Sequence, residues 1–217
     1  MWKDLALVTA FLVLCVLVLA ALQTPLSGSV ALLSTLAFAS WRLHRAGERW
    51  RSLGFVRPAS LPRCAAAIIG WIVAAWLAAG AATLIARHGF GFAAPDLRRL
   101  GELHGNLPRL LMVLTVAWTS AAFGEELLFR GFFLTRLERA LGGTQRATVI
   151  AVIGQALAFG LAHAYQGPTG MLTSGSIGLV FGIAYARGRN FWPVIVAHGI
   201  IDSVALIALY AGFLPPQ

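Results

Sequence analysis

The stretch AAFGEELLFRG, from Ala121 to Gly131, places two adjacent glutamates and an arginine in a run of residues otherwise suited to lipid. Ionisable side chains at membrane depth are rare and expensive, and by default they mark functional sites. Glu126 and Arg130 stand at i and i+4, so a helix brings them onto one face as a pair, carboxylate N-terminal to cation. A purely structural bridge would explain these two. It would not explain Glu125, because adjacent residues of an α-helix point about 100° apart. The same spacing recurs twice downstream. Phe159 and His163 set an aromatic ring beside an imidazole, and His198 and Asp202 set a carboxylate within reach of a second imidazole.

A carboxylate and two imidazoles inside a membrane suit the activation of water, since hydrolysis needs a base for the water and donors for the oxyanion. The same three residues, Glu125, His163 and His198, also make a two-histidine, one-carboxylate set with an open position, which suits zinc. No HExxH motif is present, and the ligands would come from three separate helices. The preferred expectation is therefore metal-free chemistry with no cofactor, and zinc is the rival.

Hairpin geometry favours convergence of these groups. If the helix carrying Glu125 runs to about Leu141, turns at Gly142-Gly143 and returns from Arg146, Glu125 and His163 each lie about 25 Å from the turn, level with one another. The charged tail with Arg136, Glu138 and Arg139 is expected to project into the cytosol. His198 lies only about 10 Å beyond the turn at Arg189 to Phe191, and it joins the others only if the Gly142 turn protrudes below that one.

The elements that must position these residues are membrane helices. The 217-residue chain is 59% hydrophobic and 12% charged, with a mean hydropathy of +0.78, more apolar than one soluble core can hide. It reads as an all-α, polytopic transmembrane bundle of about seven (six to eight) spanning helices, each near the roughly 20 residues that a bilayer core requires. They are Leu5 to Leu22, Leu26 to Trp41, Cys64 to Ala86, Leu107 to Phe123, Ala147 to His163, Leu172 to Ala186 and Phe191 to Phe213, the second and sixth being short. The first is expected to be retained and not cleaved as a signal peptide, since it has little basic flank and a second apolar segment follows at once. Three regions follow: an N-terminal hairpin with its basic loop (1–63), a third helix and extracytoplasmic loop (64–106), and a core carrying the polar motifs (107–213).

The net charge of +9 does not imply nucleic acid. With the loops placed alternately on two sides, thirteen of the 17 Lys and Arg residues fall on one side, leaving Arg87, Arg98, Arg99 and Arg109 for the other. This bias predicts a cytoplasmic N-terminus, with the basic loops facing anionic headgroups. The polar stretch Trp41 to Arg63, with its interleaved Arg and Trp residues, is expected to lie as a helix at the membrane surface. Cys15 and Cys64 show no CxxC spacing and read as small hydrophobes. The abundance of Ala, Gly, Arg and Leu suggests a multi-pass protein of a bacterial inner membrane.

Glu125-Glu126-x-x-x-Arg130, Phe159-x-x-x-His163 and His198-x-x-x-Asp202, in that order on three apolar helices, resemble the motifs of the CAAX protease and bacteriocin-processing (CPBP, Abi) family of intramembrane proteases. Its best-known members are the type II CAAX prenyl endopeptidases. The resemblance spans roughly Leu107 to Gly212, and the first three helices carry no signature. It implies an intramembrane endopeptidase acting on a membrane-anchored protein or peptide. Glu125 would be the base and His163 would hold the same water. Glu126 with Arg130 would be a supporting pair, His198 would face the scissile carbonyl, and the residue four later would help bind the oxyanion. That position is often Asn in the family. Asp202 cannot donate when ionised, so it is expected either to be protonated or to orient His198. The family has been described as both a glutamate-type and a metallo-type protease. A proton-coupled transporter would also place such residues at mid-membrane, but no inverted repeat is visible. A non-proteolytic scaffold would have no need of Glu125, His163 and His198 together. Oligomeric state is not encoded in any motif.

Overall fold

The computed structural model describes residues 1–22, 26–100 and 103–213; residues 101 and 102 of the predicted extracytoplasmic loop and residue 213's successors lie outside them. Seven long helices follow one another: α1 (Trp2–Ala21), α2 (Ser27–Arg45), α3 (Leu61–Gly89), α4 (Leu107–Ala140), α5 (Gln145–Ala162), α6 (Gly167–Gly188) and α7 (Phe191–Tyr210). No strand occurs among the described residues. Six of the seven are long and apolar enough to cross a bilayer; α2, which ends in WRLHR, is not among them. The protein is an integral membrane helix bundle.

Local chemistry explains the boundaries. The GPTG segment, loop-like in sequence, begins α6, so that helix starts at Gly167 and not near Leu172. Proline is tolerated in a first turn because its missing N–H would have had no helical partner there. Leu61-Pro62 and Leu107-Pro108 open α3 and α4 in the same way. Asn106 caps α4 by accepting from the Arg109 N–H at 3.1 Å, and Asn190 caps α7 by accepting from Trp192 at 2.9 Å. Gly142 and Gly143, with φ of +94° and +67°, make the α4–α5 turn.

Helix α4 departs from the expected geometry. Its central stretch, Ala117–Leu134, is π-helical, flanked by α-helix on both sides. The wider turn brings Glu125 and Glu126 closer in direction than an α-helix would, and such segments concentrate at functional sites. Apolar spacing does not reveal it, because i, i+4 neighbours still meet on a π-helix.

The bundle is built around α4. Leu127, Leu128, Phe129, Phe132 and Leu134 share one buried core with Val8 of α1, Leu32, Ala39 and Leu43 of α2, and Val152, Phe159, Tyr185, Phe191 and Ile195 of the later helices. The N-terminal hairpin, though it carries no motif, therefore packs directly on the motif helix. A Cβ on Gly124 would stand 3.1 Å from Leu32, so α2 sits against α4 one residue from Glu125. The outward faces stay apolar, with Leu14, Leu17, Ile69, Leu77, Leu157 and Leu161 all exposed. In lipid such faces carry no penalty.

The Trp41 to Arg63 stretch is not a surface helix. After α2 ends at Arg45, only the short 3-10 turn Trp50–Leu53 forms, and the segment docks on the helix ends. The Tyr185 hydroxyl donates to the Leu53 carbonyl, Phe191 N–H to Gly54 O at 3.2 Å, Asn190 to Val56 O at 3.2 Å, and the Trp50 indole to Ser40 at 2.9 Å. Polar backbone near the bilayer needs partners, and here the protein supplies them.

Candidate active site

Four helices bring the polar residues together. On α4, Arg130 Nη1 donates to Glu126 Oε1 at 2.8 Å, and both side chains are fully buried. The i, i+4 pair read from the spacing is therefore formed. The guanidinium also lies 4.4 Å from the Phe159 ring centroid and 5.6 Å from that of Phe181, so π faces from α5 and α6 take part in neutralising it.

The same Glu126 oxygen accepts from Nδ1 of His198 on α7 at 2.8 Å. This contact joins two motifs that sequence spacing treats as separate, because it depends on the register of α4 against α7. Lower down, Glu138 near the end of α4 accepts from Arg189 in the α6–α7 turn at 2.7 Å, a second tie between these elements. Asp202 faces the other nitrogen, its Oδ2 lying 3.5 Å from Nε2 of His198. The carboxylate that holds the ring by a hydrogen bond is thus Glu126, and Asp202 stands at ion-pair distance with its side chain 30% exposed.

His163 ends α5, and its Nδ1 donates to the Phe159 carbonyl at 2.8 Å, leaving Nε2 to the site when the ring is neutral. Phe159, 2% exposed, stands between the histidines, with its ring centroid 4.7 Å from that of His163 and 6.3 Å from that of His198. Phe129 abuts it edge-on at 5.1 Å. Glu125 lies within electrostatic reach of His198, Asp202 and Arg130. Its Oε2 is buried with no hydrogen-bond partner, and no hydrogen bond joins Glu125 to either imidazole among the described residues. A partnerless buried carboxylate oxygen is rare in folded proteins and calls for a functional reason.

The rival zinc set can be tested on this geometry. No group of three or more His, Cys, Asp or Glu side chains among the described residues is arranged to hold a metal ion. Nδ1 of each imidazole is engaged by Phe159 or Glu126, which leaves Nε2 of each as the nitrogen that a metal would take.

One expectation at the basic end of the bundle is corrected in part. Arg136 and Glu138 do not project into solvent, being 2% and 8% exposed, while Arg139 is exposed as expected. Arg136 and Arg139 donate to the two oxygens of Glu48 at 2.7 and 2.6 Å, and Thr148 joins Arg189 on Glu138. The docked 46–60 segment supplies Glu48 and covers these charges. Burial opposes ionisation of Glu48, but the two guanidiniums outweigh it and hold the carboxyl below its ordinary range.

Sequence reading missed one contributor, Gln155. Gln155 is fully buried, its amide donating to Val152 O at 3.0 Å and Gly178 O at 2.8 Å. Its position four residues before Phe159 and eight before His163, on an apolar helix, was the available signal. Gly178 and Gly182 on α6 admit Phe159 and Gln155, and a Cβ at Gly182 would stand 2.3 Å from the amide nitrogen. Trp118 lies against Gly199, whose Cβ would be 2.6 Å from the indole, and donates to Ser203 at 3.0 Å. Gly160 lets backbones approach, with a Cβ there only 2.8 Å from Met171 O.

Residues 107–204 match a protein-family model described as type II CAAX prenyl endopeptidase Rce1-like. No curated protein and no solved structure matches the chain.

Proposed function

Because residues 107–204 match the type II CAAX prenyl endopeptidase Rce1-like family model, we propose that the protein is an intramembrane endopeptidase. It hydrolyses a peptide bond of a membrane-anchored protein or peptide with a water activated by Glu125. The observation that carries this reading is the buried, partnerless Oε2 of Glu125 within electrostatic reach of His198. A carboxylate with an unused acceptor oxygen, shielded from bulk water, is suited to hold and deprotonate one water molecule.

In this reading His163, its Nδ1 occupied by the Phe159 carbonyl, offers Nε2 to the same water. His198 faces the scissile carbonyl with its ring fixed by Glu126. With Nδ1 held by Glu126, Nε2 is the ring nitrogen left to face the oxyanion, and Asp202, whose Oδ2 lies 3.5 Å from it, orients the ring from that side. Arg130 keeps one positive charge beside the site without leaving its buried pair.

The reaction is assigned without a metal. The bias of basic residues supports a cytoplasmic N-terminus, with the site opening toward the cytoplasmic half of a bacterial inner membrane. Leader peptides and C-terminal membrane anchors are the preferred substrates, ahead of prenylated tails. The deciding experiment is cleavage of a panel of membrane-anchored peptides by the purified chain, with and without chelator. Cleavage that survives chelation and vanishes in Glu125→Ala supports the assignment. Loss on chelation with rescue by zinc would replace it with the metallo-type reaction, and wild-type cleavage by Glu125→Ala would end it.

A further inference from the structure

We infer that Gln155 is a positioning residue for the proposed reaction, holding Arg130, and through it the Glu126–His198 pair, by way of the Gly178 carbonyl. The inference rests on the endopeptidase reading above and adds a residue outside the three motifs.

The amide orientation is unambiguous. Both neighbours of Nε2 are carbonyl oxygens, Val152 O at 3.0 Å and Gly178 O at 2.8 Å, so a flipped amide would set oxygen against oxygen. The protein keeps this orientation although it leaves Oε1 buried without a partner. A buried amide with one orphaned atom is a net penalty for a core, and an apolar residue would avoid it.

What the amide secures is a shared acceptor. Gly178 O also receives Arg130 Nη2, at the longer distance of 3.4 Å. Two donors from α4 and α5 thus converge on one carbonyl of α6, and the chain continues from Arg130 to Glu126 to Nδ1 of His198, each step 2.8 Å. Arg130 Nε has no partner, so nothing else on that side of the guanidinium competes for it. Without Gln155, the long contact to Arg130 is the one side-chain bond left at Gly178 O beside its helical partner, and Arg130 is drawn toward it and away from Glu126. The Glu126 carboxylate then relaxes toward Arg130, and the His198 ring loses its fixed orientation. Gly182 leaves the space the amide needs, which explains a glycine one turn beyond Gly178.

Two substitutions approach this link from opposite helices. Gln155→Met keeps volume and removes the donors, and Gly182→Ala pushes the amide off its carbonyl. Both are made in the full-length purified chain, with Leu157→Ala, on the lipid-exposed face of α5, as control. With a peptide that the wild-type chain cleaves, both variants are expected to lower kcat about tenfold with KM within about twofold. In 15N-histidine spectra, the His198 ring signal, identified by its loss in His198→Gln, is expected to move in both variants and stay fixed in the control. An unmoved His198 signal in folded Gln155→Met and Gly182→Ala protein overturns the inference, as does an unchanged kcat. The spectra report on the link even if Glu125→Ala proves fully active, so failure of the endopeptidase reading and failure of the Gln155 link are separate results.

Discussion

Two sets of buried charge, one at membrane depth and one at the basic end of the bundle, use similar residues in opposite ways. At the basic end every carboxylate oxygen is taken: Glu48 holds Arg136 with one and Arg139 with the other, and Glu138 holds Arg189 with both and Thr148 with one. Around α4 the carboxylates are only partly used. Glu126 spends Oε1 on both Arg130 and His198 and leaves Oε2 bare, and Glu125 Oε2 has no partner. The basic end does leave Arg136 Nε and Nη2 without partners, so the difference lies in the carboxylates: an unused carboxylate oxygen is what a reacting water can take. The contrast locates the chemistry more sharply than burial does, since both sets are largely hidden.

The contrast can be broken at several points. The largest effect is expected at Glu125: Glu125→Gln should abolish cleavage, by about a thousandfold or more, with helical content and melting temperature unchanged or raised, because the carboxylate it removes satisfies no partner. Cleavage assay and thermal melt on one preparation check it, and a variant that unfolds would show the residue to be structural. Next is Glu126→Ala, expected to lose activity and about 3 kcal/mol or more of stability together, since it strands Arg130 as a buried, uncompensated cation. Unfolding in mixed micelles measures the loss; a change below about 1 kcal/mol would mean that water or lipid headgroups reach Arg130.

Glu138→Ala at the basic end should lower stability by about 1–2 kcal/mol, with kcat per folded molecule within about twofold of wild type. A large fall in kcat there would erase the distinction between the two regions. Smallest is a pH effect from Glu48. Its carboxyl is held below the ordinary range when folded, so its contribution is present above the unfolded value, about 4.3, and fades as pH falls through the lower folded value. Exposure and screening keep it under about 1 kcal/mol. The difference in melting temperature between wild type and Glu48→Gln should therefore be constant from pH 7 to 5 and shrink below pH 4; a difference that grows with acid would reverse the sign.

Much of the fold was legible in the chain because lipid imposes simple rules. Spans must be long and apolar, and an internal polar group must have a partner at helical spacing, which is why Glu126–Arg130 and Phe159–His163 were readable as pairs. The start of α6 was misplaced because Gly167-Pro168 signals a loop and a first helical turn alike. The charged tail of α4 was read as solvated because the spacing of Arg136 and Glu138 carries no trace of Glu48 or Arg189, which reach them from elsewhere in the chain. Gln155 was overlooked because its partner is a backbone carbonyl, which no residue type advertises.

Residue type and local spacing alone determined that this is a helical membrane protein with a small set of ionisable groups on three late helices. Those properties follow from hydropathy and from the 3.6-residue period, both local. Only the tertiary structure decided that Glu126 serves two helices, that Glu125 keeps an unpaired oxygen, and that Gln155 joins Arg130 on Gly178. Each depends on how far one helix slides and turns against another, and that is set by packing across the whole bundle, with Gly124, Gly178 and Gly182 fixing the close approaches.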